Sequence, residues 1–330
     1  MGSTPANEPP LPENRPNAVY YPTHVEGMQV SGMAKQGDLT CALTYSFPHR
    51  FWLVTGQEKK KVEIQSDDSV YMMPVVWNRN TTIVPPDMNP QITITQNGEQ
   101  VTQLSPWPML SQPMSLHFGD NVQLPGDGTY QAKVRVGSPS TNRTGALAEV
   151  DNKPTTFSFE FEFSQEKLNE VIYEDIPSEK EGTKGAISPM DVEMGPTKQV
   201  PKKESLPGII RGAPTSGDAT FIVTTLDDAS RFGGTDSETY LVVSPRTPYN
   251  RYMLPLMSLS GRLERDGTSI FDGILQATID PELDYHYGAI VSDVQSSDEL
   301  TITVDAPPQI ARHEGYEMAF IEMPEMTLTV

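Results

Sequence analysis

Apolar and polar residues alternate along most of this chain, in short runs broken by Gly and Pro. A period of two puts alternate side chains on opposite faces of a strand. The clearest case is QITIT and QVTQL on either side of Asn97-Gly98. Asn-Gly supplies the two positive φ angles of a tight hairpin. Upstream, AVYYPTHVEGMQVSGMAKQGDLTCALTYSFPHRFWLVTG reads as three short strands and KKKVEIQSDDSVYMMPVVW as two more. Downstream, TYQAKVRVG and TTFSFEFEFS alternate again. About seven short strands with turns between them predict an all-β fold, a two-sheet Greek-key sandwich of the immunoglobulin type.

The pattern then repeats. SLHFGDN at 115–121 returns as DYHYGAI at 284–290, and the two histidines are 286 − 117 = 169 apart. The same offset relates Tyr71 to Tyr240, Gly98 to Gly267, Gly119 to Gly288, Pro139 to Pro308 and Arg143 to Arg312. LSGRLERDGTSIFDG supplies the second hairpin, with Asp266-Gly267 at its turn. An internal repeat fixes architecture before any other reading. The chain is expected to hold two tandem sandwiches, at 19–163 and 206–330. Residues 1–18, rich in Pro, Asn and Glu, read as a disordered tether. Residues 164–205 read as a charged Pro/Gly linker in which SQEKLNEVIYE can form one short helix.

Composition narrows the chemistry. The chain has 24 Lys and Arg against 44 Asp and Glu, a net charge of −20, which argues against nucleic acid because phosphate needs clustered cations. An acidic surface suits a secreted or salt-adapted protein. Cys41 is alone, so no disulfide closes within the chain and no Cys-based zinc site exists. No run of about 18 apolar residues is present, so no transmembrane span is expected. The polar N-terminus has no signal-peptide core; the chain is either cytosolic or a mature region whose targeting segment Met-Gly-Ser has replaced.

No G-x-S-x-G, P-loop, H-E-x-x-H or G-x-G-x-x-G occurs, and no enzymatic activity is expected. What stands out is thioether sulfur near imidazole. The chain has 15 Met and 5 His, and Met72, Met73, Met109 and Met114 surround His117. Thioether with imidazole selects Cu(I), and added oxygen ligands admit Cu(II), Fe or Zn. The alternative is that Met fills gaps in the core. The second copy has no Met near His286; it offers His313 with Glu314 instead. His49, between Pro48 and aromatic residues, reads as a structural corner, and His24 as a strand-edge residue for which nearby Glu26 and Met28 keep a minor metal reading open.

GMQVSG, the hairpin, and LHFGDNVQLPGDGTYQAKVRV together resemble the periplasmic metal-binding proteins of high-affinity iron uptake, the treponemal membrane-antigen lipoprotein and Campylobacter iron-uptake type. The whole chain resembles a two-copy haloarchaeal relative of that family. The resemblance implies an immunoglobulin-like sandwich that dimerises, binds copper, iron or zinc near the dimer interface, and works beside an iron permease. Carried over, the family's His before Tyr-Gly falls on His117 and His286, and its upstream Met on Met109 or Met114. A His-x-Glu pair falls on Tyr71 with Met73 and on Tyr240 with Val242, and a later His falls on His313.

The expected function is thus an extracytoplasmic, membrane-tethered copper- or iron-binding protein of iron uptake, with two fused copies acting as a pseudo-dimer and with capacity for self-association. Two sites are expected. One pairs His286 with His313, helped by Glu314 or Tyr240. The other, softer, is His117 with Met109, Met114 or Met73. The alternative is a surface or assembly module that keeps the scaffold and has lost the metal.

Overall fold

The computed structural model describes residues 24–148, 153–181, 183, 185–190 and 199–330; the expected tether at 1–18 lies outside them. The described chain is all-β, with helix confined to short pieces such as Gln165–Asn169. That helix starts where the linker reading placed one, and the Ser164 hydroxyl caps it by accepting from the Lys167 amide at 3.2 Å. Both expected hairpins form. Asn97 and Gly98 have φ of 53° and 85°, and Asp266 and Gly267 have 49° and 76°.

In the first half, strands Gln29–Gln36, Leu39–Ser46, Val70–Asn78, Ser115–Val122 and Trp107–Ser111 are neighbours in that order. A second sheet runs Thr155–Phe163, Gly128–Val136, Gln91–Gln96, Glu99–Leu104. Cys41, Leu43, Met72, Val76, Ile94, Phe118, Val134 and Phe159 form the core between them. The second half repeats this order, though among the described residues it has no counterpart of the first half's hairpin Phe51–Thr55 and Glu58–Val62, and one strand differs. Thr268–Asp280 is a single 13-residue strand that pairs with Ser258–Arg265 along its first part and with Asp284–Val291 along its last. In the first half the corresponding stretch is split at Ser105-Pro106 into Glu99–Leu104 and Trp107–Ser111. Proline has no N–H to give to a ladder, which explains the break.

Strands Leu39–Ser46, Val70–Asn78 and Thr239–Arg246 are buried at every position instead of alternating. A strand does this when both of its faces are covered. One face of Leu39–Ser46 and Val70–Asn78 fills the first half's own core. The other face, with Ala42, Val75 and Trp77, belongs to an apolar cluster that continues into the second half through Tyr252, Tyr285 and Ile310.

The halves also trade strands. Ala311–Arg312, from the second half, pairs in parallel with Met109 and Leu110 and joins the first half's sheet. Asn142–Arg143, from the first half, pairs in parallel with Thr278 and Ile279 of the second. Each residue of one exchange is 169 away from its counterpart in the other (311 − 142, 278 − 109). Arg312 is fully buried in the first exchange, where its guanidinium donates to the carbonyls of Pro308, Ile310, Ala319 and Phe320 at 2.6–3.2 Å.

Candidate metal centre

His117 and His286 occupy equivalent places in their halves, and the backbone around each is the same. Ser115 and Asp284, two residues before each His, have φ of 65° and 61°. Nδ1 of His117 lies 3.3 Å from the Ser115 carbonyl, and Nδ1 of His286 lies 3.0 Å from the Asp284 carbonyl. A carbonyl only accepts, so Nδ1 carries the proton and Nε2 keeps its lone pair. Nε2 faces Tyr71 Oη at 3.4 Å in the first half and Tyr240 Oη at 3.2 Å in the second. The glycine two positions on makes room for this phenol. A Cβ on Gly119 would sit 2.0 Å from Tyr71 Oη, and one on Gly288 2.3 Å from Tyr240 Oη. The His-aromatic-Gly signature is therefore a packing device that seats a tyrosine against a histidine.

Around His117 further imidazoles gather. The His313 ring centroid is 6.3 Å from that of His117 and 4.6 Å from that of His49. His49 sits in the turn after Leu39–Ser46, where its amide donates to Asn121 Oδ1 at 2.9 Å and its carbonyl accepts from Asn121 Nδ2 at 2.8 Å. Its Nε2 is 2.9 Å from Glu26 Oε2, and its Nδ1 is buried without a hydrogen bond of normal geometry. His24, two residues before Glu26, approaches the same carboxylate oxygen at 3.8 Å and stacks on Tyr173 with centroids 4.8 Å apart. Glu26 also accepts from the Ser46 hydroxyl and from the Phe47 amide at 3.3 Å. Phe51, Tyr71, Met73, Met109 and Ala311 form the apolar wall, with Met28 and Met114 packed on it.

Charge here is set by burial against pairing. Burial holds His117 down to about 4 and His313 well below its ordinary value, with the His49 charge adding to both effects. Both rings are neutral at neutral pH, and a cation at His117 would take the Nε2 lone pair that now accepts from Tyr71. Burial also lowers His49, but the Glu26 carboxylate more than offsets it and the net shift is upward. Burial would raise Glu26; the His49 and His24 imidazoles overcome it and hold the carboxyl far below the usual range. Burial raises the Tyr71 phenol well above 10, so Tyr71 is a hydrogen-bond donor to His117 and not a phenolate ligand.

The sequence expectations are sorted by this geometry. His117, Tyr71, Met73, Met109 and Met114 do come together, and His313 joins them. The expected pairing of His286 with His313 is not what the structure places: the strand exchange carries His313 into the first half's cluster. Beside His286 the matching position is Thr144, whose hydroxyl donates to the buried Asp280 at 2.5 Å. Tyr240 is stacked on Phe232 at 3.6 Å between centroids. Glu314 is engaged by Arg50, with Nε at 2.9 Å and Nη2 at 2.8 Å from the same carboxylate oxygen. Sequence reasoning gave His24 with Glu26 only a minor metal reading apart from the two expected sites, and it missed His49. One signal was legible: the His-x-Glu spacing sought at Tyr71 and Met73 is spelled literally by His24-Val25-Glu26.

Among the described residues, no three His, Cys, Asp or Glu side chains already converge as a preformed metal cage. The donors are of the right kind all the same. Neutral imidazoles and one carboxylate suit Cu(II), Fe(II) or Zn(II), and the adjacent thioethers suit Cu(I). His24, His49, His117 and His313 would hold the ion with Glu26, and binding would draw the proton from His49.

Residues 79–170 match a family model described as Fe2+ transport protein, and residues 204–329 match one described as a domain of unknown function. No curated protein matches the chain. Among solved structures, FetP of uropathogenic Escherichia coli in its as-isolated form is 16% identical at a TM-score of 0.32, covering 43% of this chain and 96% of that one. A copper-bound variant of FetP is 16% identical with a TM-score of 0.32, covering 41% and 97%. The copper-reconstituted P19 protein of Campylobacter jejuni is 13% identical with a TM-score of 0.32, covering 42% and 96%. These are similarities of parts of the chain, and none of the site chemistry rests on them. No helix among the described residues is long and apolar enough to cross a membrane.

Proposed function

We propose that this chain is a non-catalytic metal-binding protein of iron uptake, taking copper or iron at the His24–Glu26–His49–His117–His313 cluster. One observation carries the reading. Four of the chain's five histidines form one connected cluster, His24 and His49 on the Glu26 carboxylate, His313 beside His49 and His117 beside His313, although they come from well-separated stretches of sequence in both halves. Loop histidines scattered for solubility have no reason to do this. The match of residues 79–170 to the Fe2+ transport model supports the iron-uptake context. The reciprocal strands support a pseudo-dimer in which each half completes the other. In this reading the protein works outside the cytoplasm, tethered beside a membrane permease.

One observation favours the rival, a scaffold without metal. The Glu26 carboxylate is already held by the His49 imidazole, so its charge is balanced by the chain's own residues. Metal analysis of untagged protein decides, followed by calorimetric titration with Cu(II) and Fe(II). The expected result is one bound ion per chain in the wild type and none in His49→Ala/His313→Ala. Equal binding by the two proteins would hand the molecule to the scaffold reading.

A further inference from the structure

The pocket at this cluster has a second set of donors that the imidazole–carboxylate reading does not use. Met28, Met73, Met114 and Met190 all line it. They arrive from four different places. Met28 is in the link between His24–Glu26 and Gln29–Gln36, Met73 is on Val70–Asn78, and Met114 is in the turn before Ser115–Val122. Met190 belongs to the connection between the halves. Its amide donates to the Pro113 carbonyl at 2.8 Å, which pins the connection one residue from Met114. Ile187 of the same stretch is buried in the pocket wall.

A methionine that merely fills a core gap is enclosed on all sides. Met73 is enclosed in this way, but Met28, Met114 and Met190 are only half-buried, at the pocket's edge. The carboxylates at this place are committed: Glu26 is held by imidazoles and Glu314 by Arg50. Thioethers have no proton to lose and bring no charge, so they take a soft monovalent cation and discriminate against Fe(II) and Zn(II).

We infer that the edge of this pocket is a distinct Cu(I) subsite built from the thioethers of Met28, Met114 and Met190, with the enclosed Met73 left to the pocket wall, and that the connection between the halves completes it by delivering Met190. The subsite deepens the metal-binding reading, since it shares that pocket, but it uses none of the same donor atoms.

The test uses the full chain without oxygen, with Cu(I) supplied as its bicinchoninate complex. Wild type should withdraw Cu(I) from the complex, and X-ray absorption should show sulfur in the first coordination shell. Met190→Leu should weaken Cu(I) binding by about ten-fold, and Met28→Leu/Met114→Leu/Met190→Leu by about a hundred-fold or more. Leucine is close in volume, so circular dichroism and melting should stay as in wild type. Cu(II) affinity should change by less than about two-fold in the triple variant. A wild type that leaves Cu(I) with bicinchoninate, a shell of nitrogen and oxygen alone, or a triple variant equal to wild type would each overturn the subsite. Cu(I) binding that survives His49→Ala/His313→Ala while Cu(II) binding vanishes supports two separate donor sets. If wild type takes Cu(I) through sulfur but neither Cu(II) nor Fe(II), the imidazole reading falls and the thioether subsite stands.

Discussion

The surroundings of His117 and of His286 are built on the same backbone and have opposite contents. In both, Nδ1 is anchored to a carbonyl two residues earlier, Nε2 faces a tyrosine, and a glycine makes space for the phenol. Beyond that frame they part. The first half adds His24, His49, His313 and a carboxylate. The second lays Phe232 flat on Tyr240, their rings 4° from parallel, and brings in Arg231, whose Nε is 3.4 Å from Asp280. The Arg231 guanidinium also meets Glu282 and lies 4.9 Å over the Phe232 ring. In the second half a guanidinium alone meets the carboxylates beside the histidine, whereas the first half adds imidazoles on Glu26 to the guanidinium on Glu314. The lesson is that the retained histidine is not itself the mark of a metal site. Its tyrosine and glycine partners explain it as framework, and what separates a donor cluster from a packed core is the further neighbours, His24, Glu26 and His49 of the same half and His313 of the other.

The largest effect that tests this contrast is on ion affinity. His117→Gln should lower Cu(II) or Fe(II) affinity by about a hundred-fold or more, whereas His286→Gln should leave it within about two-fold, as read by calorimetry. Loss of binding in both variants would mean that the second half is not mere framework. Next in size is the glycine contact. Gly119→Ala and Gly288→Ala should each destabilise by about 1–3 kcal/mol or more through overpacking against the tyrosine, seen as a lower midpoint in urea. Only the first should also weaken the ion. Two unaffected midpoints would show that the phenols can step aside.

The smallest effect is on acid stability, and its sign differs between the sites. Burial lowers His286 and His117 from 6.5 to about 4 in the folded protein. The unfolded chain therefore binds protons first. Their contribution is complete above about pH 6.5 and is lost as pH falls toward 4. His49 is shifted upward by Glu26, so its contribution is complete below about pH 6.5 and is lost as pH rises through its folded value. Denaturation midpoints between pH 4 and 8 should show a shallower acid limb for His286→Gln than for wild type. A His49→Gln variant should be relatively most destabilised at the acid end. Parallel pH profiles for all three proteins would contradict the assigned shifts.

Much of the architecture was legible beforehand. Alternation, the Asn-Gly and Asp-Gly turns, and the 169-residue offset suffice for two sandwiches with His117 and His286 in register. The membership of the site was not. A repeat assigns each residue to its own copy, so His313 is naturally grouped with His286. Two-residue strands such as Ala311–Arg312 have no periodicity to detect, and which sheet they join is decided by long-range pairing. His49 was read as a corner because Pro and aromatic neighbours suit one; it is a corner, held by Asn121, and it is also in the cluster. His24-Val25-Glu26 was visible but lay outside the repeat, with no second copy to draw attention to it.

The exchanged strand Ala311–Arg312 also orders events in time. As the ribosome extends the chain, His117 is made 196 residues before His313 (313 − 117). Through that interval the first half lacks one of its imidazoles and the two-residue strand just before it, which joins Trp107–Ser111 to Phe51–Thr55 within the sheet. A nascent or prematurely truncated chain therefore cannot assemble the full ligand set. On the metal-binding reading proposed above, ion capture is then a signature of a chain translated past residue 313 and folded with both halves engaged.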